Sequence, residues 1–223
     1  MNIAFIIITH QSGIRPEGHK YAQRCIQNIR DNMDTDNYDI ILIDNGSDIS
    51  YPNLKNILYT YRDKQPGGLI RAWNFGINLA VSNGNDFYVV MNDDVLFNKT
   101  INNFFPIVNS HKYKDISFYA PVCNNIKTFP WQRMPYSPGV IKELTNTLDG
   151  PHGYFISFNK SFLSTNIVDL VMFDESKPFA GQEILFHNRI KANGGRSFAI
   201  GDCEMFHDHL QSWRKLPHNI THK

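Results

Sequence analysis

The chain has 223 residues, long enough to bury about 70% of its surface around one well-built core. Lys and Arg number 22 against 21 Asp and Glu, and a net charge of +1 without any Lys/Arg run excludes a protein that lives on nucleic acid or an anionic membrane. Cys25, Cys123 and Cys203 lie far apart with no CxxC pair, which excludes a disulfide scaffold and a Cys-rich zinc site and fits a reducing compartment.

Ile3 to Thr9 (IAFIIIT) is a continuous, β-branched apolar run and predicts a strand covered on both faces. No basic n-region or small-residue cleavage site accompanies it, so no signal peptide is expected. No apolar run approaches the ~20 residues of a membrane span, and a soluble, cytoplasmic protein is the expectation. His19 to Met33 follows with Tyr21, Ala22, Cys25, Ile26 and Ile29 at helical spacing. Tyr38 to Ile43 predicts a second buried strand, ended by the turn residues Asp44-Asn45-Gly46-Ser47-Asp48. A third short strand is expected within Asn56 to Tyr61. Gly68 to Ser82 reads as a helix, with Leu69, Ala72, Trp73, Gly76, Ile77 and Ala80 on one face and Gly84 past its end. Asp86 to Met91 predicts a fourth strand, ending at Asn92-Asp93-Asp94.

This β-α-β-β-α-β alternation implies a mostly parallel sheet with helices on both faces. Ligands of such sheets bind outside the carboxyl ends of the strands. Thr9-His10, Asp44-Asn45 and Asn92-Asp93-Asp94 are all delivered there. Asp93 and Asp94 repel each other unless something positive stands near, and Mg²⁺ or Mn²⁺ held by a carboxylate and substrate phosphates is one solution. A plain turn with solvated Asp side chains is the other.

The second half is less regular. Pro121 to Pro138 contains four prolines with Trp131 and Tyr136, and reads as a long irregular stretch suited to covering a substrate. Gly153 to Phe158 predicts a strand, Gly181 to Asn193 a helix stopped by Gly194-Gly195, and Glu204 to His209 carries a His-Asp-His cluster. No element is predicted between Phe97 and Pro121.

Taken with Pro66 to Ala80 (PGGLIRAWNFGINLA), the strand-end acids resemble the nucleotide-sugar half of an inverting glycosyltransferase of family 2. Gly68, Asn74 and Gly76 keep that family's spacing, and Asn92-Asp93-Asp94 stands at its Asp-x-Asp-like metal motif, with Asn92 replacing the first acid. Pro66 occupies a position where the family often has Asn. The resemblance implies an α/β protein of GT-A fold, a Rossmann-like, mostly parallel central sheet with helices on both faces in a single domain. Residues 1–97 would form the nucleotide-sugar-binding half, 98–212 the acceptor and catalytic half, and 213–223 a tail.

The resemblance also implies roles. Thr9 and Asp44 would contact base and ribose; Arg71 would lie near the base or diphosphate. Gly68, Asn74 and Asn92 would line the donor, Asp93 would bind ribose or sugar hydroxyls, and Asp94 would hold the metal. In Phe179 to Gly195, Gln182 and Glu183 stand where the family has Glu-Asp, making Glu183 the candidate general base, although a carboxylate in a first helical turn also stabilises the helix. In Phe206 to Ser212, His207 is favoured over His209 as a metal ligand or diphosphate contact. Asp149 to Tyr154 resembles the family's loop below the acceptor. Trp131, Tyr136 and Tyr154 could stack on sugars or pack in the core.

The expected function is therefore hexosyltransferase-like transfer from a UDP-, GDP- or dTDP-sugar to a carbohydrate or other hydroxyl acceptor, dependent on Mn²⁺ or Mg²⁺ and inverting by single displacement. A retaining GT-A enzyme and a degenerate domain that binds without turnover are the alternatives. A haloacid-dehalogenase-type phosphatase fits poorly, because the first strand ends Thr9-His10-Gln11 and not Asp-x-Asp. A nucleotidyltransferase fits poorly as well, because Gln11-Ser12-Gly13 is no glycine-rich basic loop.

Overall fold

The computed structural model describes residues 1–13, 15–51, 54, 57–62, 68–123, 135–145, 154–166, 172–176 and 182–208. Its first elements are β1 (Ile3–Thr9), α1 (Gly18–Asn32), β2 (Tyr38–Asp44), β3 (Tyr59–Arg62), α2 (Leu69–Ser82), β4 (Phe87–Asn92) and β5 (Val95–Phe97). Then come α3 (Ile101–Ser110), β6 (Ser117–Cys123), β7 (Ile141–Glu143), β8 (Phe155–Asn159), α4 (Lys160–Asn166), α5 (Gln182–Ala192) and β9 (Arg196–His207).

Every residue of β1 is buried, and the strand lies between β2 and β4, both parallel to it. Its unbroken apolar run is explained by what covers it. Ile3, Phe5 and Ile7 share a core with Ala22, Cys25, Ile26 and Ile29 of α1 and Phe104, Phe105 and Val108 of α3. Ala4, Ile6 and Ile8 share a second core with Ile70, Trp73 and Ile77 of α2, Phe162 of α4, and Phe186 and Ile190 of α5. Alternate side chains of one strand thus feed two helical layers, the signature of a sheet with no wet face.

The strand order is β3-β2-β1-β4-β8-β6-β9-β5, with β7 also paired to β9. β1 to β4 run parallel, β6 and β9 pair parallel, and β8 opposes both β4 and β6. Only β5, β7 and β8 run against the rest among the described strands, so the sheet is mostly parallel, as expected.

Two elements occupy the span for which the sequence predicts none. α3 contains Pro106, and β6 enters the stretch expected to be irregular, carrying Pro121 at the step where its ladder with β9 changes register. Proline tolerates such a position because a regular ladder bond is interrupted there anyway. Residues 124–134 and 146–153, with Trp131 and most of the loop expected below the acceptor, lie outside the described residues, as do Pro66 and His209. No helix among the described residues is long and apolar enough to cross a membrane.

Two glycines of α2 set its place on the sheet. Gly68 turns the chain into the helix at φ 83°, a left-handed conformation that a side chain disfavours. At Gly76 a Cβ would stand 2.3 Å from Ile6 Cγ2 on β1, so the helix can lie this close only without one. Gly76→Ala should therefore destabilise by about 2 kcal/mol: so short a contact puts the overpacking cost at the upper end of about 1–3 kcal/mol, offset by alanine's helix preference of about 1 kcal/mol. Thermal unfolding followed by circular dichroism should show a loss of several degrees, and an unchanged midpoint would refute the close contact.

Candidate functional site

The carboxyl ends of β1, β2 and β4 meet at one edge of the sheet. Thr9 is in register with Asp44, and Ile8 with Asn92. Past these ends the loops are tied together: Asn45 N–H donates to Thr9 O at 2.9 Å, and Asp48 N–H to Gln11 O at 2.9 Å.

Asp94 follows β4 in the turn that leads to β5. β5 pairs antiparallel with β9, setting Val95 opposite His207, and Asp208 N–H donates to Asp94 O at 3.0 Å. This ladder brings His207 Nε2 to 3.1 Å from Asp94 Oδ1, with both side chains almost wholly buried. Tyr154 stacks on the His207 ring with centroids 4.5 Å apart and planes 20° from parallel. Burial also pushes the Tyr154 phenol well above its ordinary pKa. Of its two sequence-level alternatives, packing in the core describes this tyrosine.

Asp93 has different company. Arg15 grips it with both terminal nitrogens, Nη2 to Oδ1 at 2.5 Å and Nη1 to Oδ2 at 2.9 Å, and Thr9 Oγ1 donates to Oδ2 at 2.6 Å. All three residues are buried. Burial pushes the Asp93 carboxyl up, against the pull of Arg15. Thr9 and Asp93, expected on the base, ribose or sugar, are thus engaged with each other and with Arg15. The sequence analysis missed Arg15. A signal for it existed: two adjacent acids require a nearby positive charge, and Arg15 lies in the loop directly after β1.

Asp44 is fully buried, and its Oδ1 accepts from the backbone N–H of Ser47 at 3.0 Å and from the Ser47 hydroxyl. This is the turn that ends β2. Asn74, expected to line the donor, is engaged with the segment 172–175. Its Nδ2 donates to Phe173 O (2.8 Å) and Glu175 Oε1 (2.9 Å), while its Oδ1 accepts from the N–H groups of Met172 (3.1 Å) and Phe173 (2.9 Å). A carboxamide has two N–H groups and two lone pairs, so nothing is left over for a donor. Asn74 is a clamp between α2 and the segment 172–175.

Gly68 is buried at the entrance of α2, Arg71 is exposed in that helix's first turn, and Asn92 is half-buried at the end of β4. The backbone of Glu183 lies in the first turn of α5; its side chain falls outside what is described. Tyr136 is exposed.

The donor set can be tested against a divalent cation. One carboxylate oxygen and one imidazole nitrogen face each other at contact distance, and this pair suits Mn²⁺ better than Mg²⁺. No group of three or more His, Cys, Asp or Glu side chains is gathered for a metal among the described residues, so a cation here would take further oxygens from elsewhere, as cations shared with substrate phosphates do.

The sequence model described as glycosyl transferase family 2 matches residues 4–168, well over half of the chain. The chain belongs to glycosyl transferase family 2. The matched span includes Asp94 and stops before Glu183 and His207. Among solved structures the fold resembles GalNAc-T7 with UDP, GalNAc and Mn²⁺ (TM-score 0.66, 13% identity, 92% of this chain and 43% of that one). It resembles S. aureus TarS 1–349 in complex with UDP to a similar degree (TM-score 0.65, 15% identity, 92% and 60%). The fold is that of the GT-A glycosyltransferases, and the chain spans 43% and 60% of the lengths of these two neighbours. No curated protein sequence matches the chain.

Proposed function

We infer that this family 2 chain transfers a sugar from a nucleotide-diphosphate donor (a UDP-, GDP- or dTDP-sugar) to an acceptor hydroxyl. The observation that carries the reading is the approach of His207 to Asp94 at the carboxyl edge of the parallel strands, where α/β sheets take their ligands. Asp94 and His207 would hold a divalent cation, Mn²⁺ in preference to Mg²⁺. Such a cation, when bound, neutralises charge on the leaving diphosphate.

The chain's own residues supply the rest. Arg71 and Asn92, which have surface to offer, are the proposed donor contacts, with the backbone at Gly68 beside them. Thr9, Asp44, Asn74 and Asp93 act from beneath, holding the strand ends and loops that shape the donor floor. Glu183 is the proposed general base. It would accept the acceptor's proton as that oxygen attacks the anomeric carbon, giving inversion by single displacement. The three residues Asn193 to Gly195 reverse the chain between α5 and β9, which supports the opening turn of α5 lying toward the end of β9 that bears His207.

The test is thermal unfolding with UDP-, GDP- and dTDP-sugars, each with and without Mn²⁺. A donor at a hundred times its Kd stabilises by about 2.7 kcal/mol, which for a chain of this size raises Tm by about 5–10 °C. One donor class should give that rise with Mn²⁺ and less without it. No rise with any of them would refute donor binding, and binding without turnover would favour a degenerate domain. NMR of the anomeric proton in the product separates inversion from retention.

A further inference from the structure

The loop between β1 and α1 is built around Arg15. Its backbone N–H donates to Ser12 O at 2.9 Å, its carbonyl accepts from Ser12 and Gly18, and its Nη1 also donates to His10 O at 3.1 Å. The guanidinium carbon lies 5.2 Å from the centre of the Tyr21 ring on α1. So held, the planar guanidinium meets both oxygens of Asp93, the geometry that arginine offers and lysine does not. Asp93 is the residue before Asp94, and its other buried partner, Thr9, is the last residue of β1. The turn that aims Asp94 at His207 is therefore fixed from two sides, by β1 itself and by the loop that follows it.

We propose that Arg15 is a positioning residue: by gripping Asp93 it holds the Asn92–Asp94 turn so that the Asp94 carboxylate faces His207. This rests on the reading of Asp94 and His207 as the cation's holders. In this role Arg15 acts through Asp93 and not on the cation or the donor itself. It sets the place of the carboxylate that does, and it supplies one positive charge against two adjacent negative ones, leaving the pair a net negative charge to attract a cation.

The experiment measures Mn²⁺ binding to the full chain by electron paramagnetic resonance, with the metal alone and no donor, for wild type, Arg15→Lys, Arg15→Met, Asp94→Asn and Leu163→Ala. Leu163 is buried in α4, within the second core, and its truncation is a control for lost stability. Arg15→Met should weaken Mn²⁺ binding about ten- to a hundredfold, the usual effect of removing a group that orients a metal ligand. Arg15→Lys should recover part of that loss, because it keeps the charge but not the paired hydrogen bonds. Leu163→Ala should lower Tm without changing Mn²⁺ affinity. Unchanged affinity in both Arg15 variants, with Asp94→Asn still losing it, overturns the positioning role alone. Unchanged affinity in Asp94→Asn overturns the cation reading and the positioning role with it. If Arg15→Met does not fold, Arg15→Lys decides, since wild-type affinity in that variant would leave the paired grip without a function.

Discussion

Asp94→Asn is expected to leave a folded protein that transfers sugar about a thousandfold more slowly. The substitution keeps the shape of the side chain and its contact distance to His207, so the β5–β9 ladder beneath it need not change. What it removes is the anionic oxygen that the proposed cation beside the leaving diphosphate would require. A loss of about 4 kcal/mol of transition-state stabilisation, within the several kcal/mol such a cation contributes, corresponds to about three powers of ten in rate. Initial rates at saturating donor and Mn²⁺, with Tm measured in parallel, check it. Turnover within a factor of about two of wild type would remove Asp94 from the mechanism.

Asn74→Ala should show the opposite pattern, a large loss of stability with little change in donor KM. The variant deletes four hydrogen bonds of about 1 kcal/mol each and strands the buried backbone groups of Met172 and Phe173, so the cost is about 3–5 kcal/mol. For a chain of this length that lowers Tm by about 6–20 °C. Were Asn74 a donor contact, the reverse would be seen: near-native Tm and a raised KM. Denaturant unfolding beside a donor titration at low temperature distinguishes the two.

The contrast between these residues marks how far the sequence could be read. β1, β2 and β4 were legible to within a residue because unbroken apolar runs end abruptly in polar turns. α3 and β6 were not, because Pro106 and Pro121 signal interruption when seen without the ladder and the helix that accommodate them. The Gly68, Asn74 and Gly76 spacing was legible as a family motif. In this chain the three residues make a left-handed entry, a clamp and a close approach to Ile6. Asp94 could be singled out from its position after a strand, whereas its meeting with His207 depends on two remote strands pairing in a particular register. No local pattern encodes that. Arg15 was hidden for the same reason, since a lone arginine in a loop shows its partner only once β1 and β4 lie side by side.

The three-residue β5 has a consequence for anyone building chimeras in this family. Side chains alternate along a strand, so adding or removing one position near the end of β9 would swing the imidazole to the opposite side of the sheet, and removing one between Val95 and Phe97 would shift β5 against β9 and draw Asp94 out of register with His207. The count of residues within this short ladder therefore cannot be altered without uncoupling His207 from Asp94.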